Sequence, residues 1–344
     1  MLSAGNQDQF PRMKFFFTML AGLLAASAPA CELCSIYSAE NASATRGEGA
    51  SGFIFTLSEQ YVAQETLQLE GEPYRHAPFL EAAFMDSSIT HFVPGYNFSP
   101  RFGVSLNIPY VYRDFRRTEI TPFATRIDER GTISDLGDTA LIARWTAFQK
   151  REMDYSAILN LLAGVKFPTG DTDRLEDERD QEILYTKAFG KNHAHAFGGI
   201  HQHDLSPGTG SFDGVFGATA NLRWKRFFFN TQVQYYLRTE AIDYEMGDLT
   251  IVSGGPGVYA LLAGNATLSI QASAFYEKQE SDRSLDQINI QTGFTAYYFG
   301  PQLAFTWGEH FSANGGVDIP LSIDNRGIQT VPDYRVHGGV SWRF

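Results

Sequence analysis

The sequence predicts an all-β protein: a transmembrane antiparallel up-and-down β-barrel of about twelve strands, of the bacterial outer-membrane type. Three observations predict it. The N-terminus reads as an export signal, apolar and polar side chains alternate with a period of two along most of the chain, and the gaps between alternating segments are long and short in turn.

Met13 and Lys14 precede an apolar run from Phe15 to Ala26, and the small residues that follow end in Ala28-Pro29-Ala30. A basic start, an apolar middle and an A-x-A site make residues 1–30 a signal peptide, with translation expected to begin at Met13 and the mature chain at Cys31. Loss of Asp8, Arg12 and Lys14 moves the formal charge from −12 to −13, which speaks against nucleic acid as a partner. No later apolar run reaches the roughly eighteen residues of a transmembrane helix, and hydropathy alone would suggest a soluble exported protein.

Alternation overturns that reading. In FNTQVQYYLR (229–238), Phe229, Thr231, Val233, Tyr235 and Leu237 share one face, while Asn230, Gln232, Gln234, Tyr236 and Arg238 share the other. LSIQASAFYE (268–277) repeats the pattern, as do 102–113, 155–167, 218–224 and 334–344. Twelve strands are expected near 50–64, 86–98, 101–117, 134–150, 152–167, 210–226, 227–241, 247–264, 266–280, 288–306, 309–322 and 331–344. The gaps are long at 65–85, 118–133, 168–209, 242–246, 281–287 and 323–330, and tight at Ser99-Pro100, Arg151, Lys225-Arg226, Gly264-Asn265 and Trp307-Gly308. Short periplasmic turns and longer outer loops have this asymmetry.

Lipid accounts for both regularities, because backbone groups inside hydrocarbon must pair within the protein, with apolar side chains outside and polar ones in the lumen. Aromatic residues near strand ends (Trp145, Phe227, Phe228, Tyr297, Tyr298, Trp307 and Trp342) are expected to form the interfacial girdle. The last strand, YRVHGGVSWRF, ends in Phe344 and is similar to the C-terminal signal read by the barrel assembly machinery. That machinery and outer-membrane lipid are therefore expected partners.

The segments FGVSLNIPYVYR (102–113), DLGDTALIARW (135–145), LLAGVKFPTGD (161–171) and LSPGTGSFDGVFGATANLRW (205–224) resemble, in order and spacing, the transporter-like barrels grouped as "MetA-pathway of phenol degradation". The resemblance covers most of residues 86–226. It implies an outer-membrane barrel with a role in passing small, often hydrophobic, molecules, and leaves the substrate open.

Two features depart from that pattern. The only cysteines, Cys31 and Cys34, stand in CELC directly after the cleavage site, within a short periplasmic segment (31–49) that offers a partner surface. The spacing suits a metal, a redox pair or a structural disulfide; haem attachment would need a histidine where Ser35 stands. Lipidation of Cys31 is a further reading, although the leucine of a lipobox is missing. The second feature is HAHAFGGIHQHD (193–204), which holds four of the eight histidines. His193, His195, His201, His203 and Asp204 form a candidate site for a divalent transition metal, with Gly198-Gly199 allowing a reversal; the plain alternative is a solvated polar loop. Ser206 and Ser211 beside His201, His203 and Asp204 contain the residue types of a hydrolase, but neither serine sits in a nucleophile motif. No enzyme activity is expected.

With Leu, Val and Trp positions facing lipid, Arg113, Arg144, Lys166, Arg223, Arg238, Arg335, His337 and Arg343 face the lumen, against few acids such as Glu277 and Asp318. These are the candidate pore-lining residues of a positive interior. The expected function is a channel or transporter for small solutes, hydrophobic or anionic, gated by the long loops and without a resident cofactor. The alternative is a surface metal-binding or redox-assembly barrel that uses CELC and the histidine loop.

Overall fold

The computed structural model describes residues 51–75, 83–191 and 197–344. The expected signal peptide (1–30), the segment 31–49 with Cys31 and Cys34, and His193 and His195 lie outside the described residues. Twelve antiparallel strands close into a barrel. They are β1 (Gly52–Gln64), β2 (Phe84–Ser99), β3 (Phe102–Ile120), β4 (Thr139–Arg151), β5 (Tyr155–Phe167), β6 (Asp213–Trp224), β7 (Phe227–Leu237), β8 (Leu249–Ala263), β9 (Ala266–Gln279), β10 (Phe294–Trp307), β11 (Phe311–Asn325) and β12 (Tyr334–Arg343). Each strand pairs with the next, and β12 returns to β1 from Ile54 opposite Arg343 to Ala63 opposite Tyr334. Closure leaves no edge in the hydrocarbon zone, which is what lipid requires.

Side-chain parity then decides which residues meet lipid. In β7, Phe229, Val233, Tyr235 and Leu237 are exposed outward, while Asn230, Gln232, Gln234 and Tyr236 are buried inside. Trp145, Phe227, Tyr297, Trp307 and Trp342 stand on the outer face as expected. Phe228 and Tyr298 do not. Each follows an outward residue, so parity turns it into the lumen, where Phe228 packs on Tyr259 at 5.0 Å and Tyr298 lies under the guanidinium of Arg335 at 3.8 Å. A closed barrel with this lipid-facing belt is an outer-membrane protein.

The expected loops contain regular structure of their own: short strands at Thr66–Leu69, Glu72–Pro73, Tyr244–Glu245, Arg283–Ser284 and Ile328–Val331, and longer elements in two of them. Arg126–Leu136, most of it expected as loop, is a strand that pairs with the upper half of β3, from Ile120 opposite Arg126 to Tyr110 opposite Leu136. It shows no continuous apolar face: the residues of Arg126–Leu136 alternate between exposed and half-buried, and of the half-buried ones Ile133 packs on the cluster of Phe115. The long connection between β5 and β6 holds helix α1 (Asp173–Phe189) and a short helix α2 (Gln202–Leu205). The start of α1 lies in an acidic run expected as loop. Asp173 and Glu176 occupy its first turn and Lys187 its last, each favourable for the helix dipole, and it ends at Gly190 with φ of +83°. Its buried face is Leu175, Glu178, Glu182 and Tyr185, and two glutamates at core positions conceal the helical period from a hydropathy reading.

Candidate functional site

The β5–β6 connection leaves and re-enters the barrel between adjacent strands, yet its middle reaches the opposite wall. Thr330, in the β11–β12 connection, donates both its N–H and its hydroxyl to the carbonyl of Gly199, at 2.7 and 2.9 Å. In a barrel of twelve strands, β5–β6 and β11–β12 are half a turn apart. The connection therefore spans the mouth as a plug. Ile200 and Leu205 anchor it in an apolar cluster with Met85 on β2 and Phe115 on β3.

The two legs of the plug are clamped at the rim. Asp138 accepts the N–H groups of Gly170 (3.0 Å) and Thr209 (2.9 Å), one from each leg. Lys166 on β5 joins Asp138 at 2.6 Å to Asp213 on β6 at 2.8 Å, with all three side chains buried. The legs touch at Gly170 and Gly208, where a Cβ on Gly208 would meet the carbonyl carbon of Gly170 at 2.6 Å. Only glycine permits that approach.

Above the lumen, His203 on α2 is enclosed by carboxylates from three segments. Its backbone N–H donates to Glu178 of α1 at 2.7 Å, and its Nδ1 lies 2.9 Å from the same carboxylate. Nε2 stands 3.4 Å from Asp204 and 3.9 Å from Asp282 in the β9–β10 connection. Asp282 also accepts from Tyr244 Oη (2.6 Å) and Gly247 N–H (2.8 Å), in the β7–β8 connection. Burial alone would lower the pKa of His203, but Glu178 above all, with Asp204 and Asp282, overrides it and pushes it up to about 10. Burial would likewise raise Glu178, but His203 and His201 hold its carboxyl down at about 2. Tyr244 is pushed well above its ordinary value, by burial first and by Asp282 next. This is an ion-paired latch joining α1, α2 and the β7–β8 and β9–β10 connections.

The latch bears on the metal expectation. His203 is an imidazolium engaged on both ring nitrogens, and imidazole ligates only when neutral. His201 stacks on it at 5.5 Å, and among the described residues no group of three or more His, Cys, Asp or Glu side chains is arranged to hold a metal ion. The hydroxyl of Ser206 donates to the Gly208 carbonyl (2.7 Å), and that of Ser211 to Asp213 (2.8 Å). Among the described residues neither serine hydroxyl bonds to the ring of His201 or His203; Ser206 meets His203 only through its backbone N–H, which donates to the His203 carbonyl at 3.3 Å.

Beneath the plug lies a cavity of about 180 Å3, with His203, Asp204, Ser206 and Thr209 in its roof and Arg113, Arg238, Glu277 and Arg335 in its wall. The expected cations do face inward, but the excess of positive charge is smaller than expected. Lys166 is balanced by Asp138 and Asp213, and Arg335 pairs with Glu277. Arg238 shares Asp213 at 3.4 Å. Arg113 donates to Ser87 Oγ (3.2 Å) and to the Ser206 carbonyl (2.9 Å), another tie to the plug. Asp138 and Asp213, which do most of the neutralising, were absent from the expected lumenal acids.

Arg144, Arg223 and Arg343 belong to the opposite, tight-turn end. Arg144 donates to Asn97 (2.9 Å) and Thr146 (3.1 Å), and Arg223 to the carbonyls of Lys225 (3.2 Å) and Glu152 (3.4 Å). Between the two ends the wall is polar. Ser58, His91, Asn107, Asn221 and Gln232 are buried in the lumen, and each presents at least one side-chain polar atom without a partner among the described residues. His337 Nε2 and Asp318 Oδ1 are in the same condition.

No protein-family model matches the chain, and no curated protein matches it. Solved structures resemble it, and the first of those that follow shows the fold. An outer-membrane channel from Pseudomonas putida F1 is 11% identical over 86% of this chain and 96% of that one, with a TM-score of 0.57. The β domain of the Bordetella autotransporter BrkA is 11% identical over 86% of this chain and 100% of that one, with a TM-score of 0.43. The CymD monoaromatic hydrocarbon channel is 9% identical over 94% and 95%, with a TM-score of 0.39. At these identities the likeness to the first of them shows the fold alone, an outer-membrane β-barrel, and it does not reach the narrower family resembled by residues 86–226.

Proposed function

We propose that the protein is a passive outer-membrane channel for small solutes, with the β5–β6 connection as its gate. The observation that carries this reading is the polar lumen. A buried donor or acceptor left dry costs about 1–3 kcal/mol, and Ser58, His91, Asn107, Asn221 and Gln232 all present such atoms below the plug. Such groups are stabilised when water or a polar solute reaches them, and a lumen lined by them between the cavity and the periplasmic end suits small hydrophilic or amphipathic solutes. A barrel serving only as a scaffold would gain by filling the same positions with apolar side chains.

Arg144, Arg223 and Arg343 at the periplasmic end favour anions over cations of equal size. The test is conductance in planar bilayers. The purified barrel should conduct in brief events with anion preference, and a variant lacking residues 172–205 should conduct steadily and at a higher level. A plugless variant that remains heat-modifiable yet passes no current would refute the reading.

A further inference from the structure

Two residues that line the cavity beneath the plug each carry an unfilled hydrogen-bonding group. Arg238, which follows β7, lines it, and its Nε is a buried donor without an acceptor among the described residues. Gln64, the last residue of β1, lines it as well, and its Oε1 is a buried acceptor without a donor among the described residues. β1 and β7 are half a turn apart in a twelve-stranded barrel, so the two groups stand on opposite walls. Met85, Phe294, Ile323 and Val331 supply apolar wall surface. At about 180 Å3 the space equals about six waters of about 30 Å3 each, enough for one small ring.

The cavity's own carboxylates are already taken. Glu277 is paired with Arg335, and Asp204 accepts the N–H of His201 at 2.7 Å and lies 3.4 Å from His203. Asp213, at 3.4 Å from Arg238, is closer to Lys166 at 2.8 Å and also accepts from Ser211 and Thr239. Glu178 and Asp282 are not part of the cavity wall. The unfilled guanidinium N–H therefore calls for an acceptor from a ligand, and a carboxylate is the acceptor that a guanidinium holds best. The amide oxygen opposite calls for a donor.

We infer that this cavity binds a small carboxylate that carries a hydroxyl on a compact apolar body, with Arg238 holding the carboxylate and Gln64 the hydroxyl. The inference rests on the channel reading of the lumen and names the class of solute that pauses there.

Calorimetric titration of the full-length purified barrel tests it with three probes: 4-hydroxybenzoate, benzoate, which lacks the donor, and 4-hydroxybenzyl alcohol, which lacks the carboxylate. The wild type should bind 4-hydroxybenzoate at one site, and each of the other two about tenfold more weakly. Arg238→Gln should weaken 4-hydroxybenzoate about tenfold and leave 4-hydroxybenzyl alcohol unchanged, Gln64→Leu should abolish the preference over benzoate, and Lys225→Gln at a periplasmic turn should change nothing. Equal binding of the three probes by wild type, no binding of 4-hydroxybenzoate, or an undiminished carboxylate preference in Arg238→Gln would overturn the inference. Conductance of the same preparation separates the two readings: current without selective binding removes the site and keeps the channel, whereas selective binding without current supports the site and removes the channel.

Discussion

Replacing Glu178 by glutamine should loosen the plug without unfolding the barrel. The substitution leaves the imidazolium of His203 buried, with Asp204 at 3.4 Å and Asp282 at 3.9 Å as its remaining charge partners. Removing one member of a buried ion pair costs about 3–5 kcal/mol; because two carboxylates remain, the lower end applies, about 3 kcal/mol. The apolar anchors Ile200 and Leu205 contribute roughly 1.5–3 kcal/mol each and are untouched, so the plug stays docked for most of the time. About 3 kcal/mol is about two decades in the opening equilibrium. Amide hydrogen exchange in α1 should accelerate by about that factor while the strands keep their protection, and open events in planar bilayers should become correspondingly frequent. The charged pair also sets a pH window. His203 is raised above its unfolded value of 6.5, so its contribution is full below about pH 6.5 and fades as pH rises towards about 10. Glu178 is depressed below its unfolded value of 4.5, so its contribution is full above about pH 4.5 and fades as pH falls towards about 2. Opening should be flat between about pH 4.5 and 6.5 and rise on the alkaline side. Unchanged exchange of α1 in Glu178→Gln, or a plug that opens near pH 5, would refute the latch.

Lys166→Met should cost about 3–5 kcal/mol, because it leaves Asp138 and Asp213 buried and facing each other; the midpoint of thermal unfolding reports it, and adding Asp138→Asn and Asp213→Asn should recover part of the loss. Gly208→Ala should push the plug legs apart at Gly170 and cost about 1–3 kcal/mol, seen as faster proteolysis within residues 172–205 with the barrel intact. An epitope inserted in the hairpin tip at 121–125 should be labelled on intact cells, whereas one at Glu152–Asp154 should be reached only after the outer membrane is permeabilised; the reverse pattern would invert the orientation.

What could be read from the sequence and what could not divide along a physical line. Lipid and water act on each side chain separately, so a residue such as Trp307 or Gln232 declares its face by its own polarity and its parity in the strand, and all twelve strands and the inward set from Arg113 to Arg343 follow from that. The plug obeys a different rule. Glu178 is buried because His203 neutralises it, and His203 is charged because Glu178, Asp204 and Asp282 surround it, from positions far apart along the chain. Neither residue carries a mark of burial by itself. An acidic run followed by a histidine run therefore has the composition of a solvated loop, although it folds into α1 and α2 across the mouth. The same cause reduced the expected positive charge of the lumen, since Asp138 and Asp213 become lumenal acids only through Lys166 between them. The Tyr297-Tyr298 pair did carry its own signal, for consecutive residues of a strand cannot both face lipid. Applied strictly, parity puts Tyr298 inside and provides Arg335 with the aromatic face on which it rests at 3.8 Å. In a plug held by paired charges over a polar lumen, the charged groups exposed on opening are ones that water solvates, so the apolar anchors Ile200 and Leu205 set most of the cost. That is a reason for a barrel with an apolar exterior to close its mouth with ion pairs.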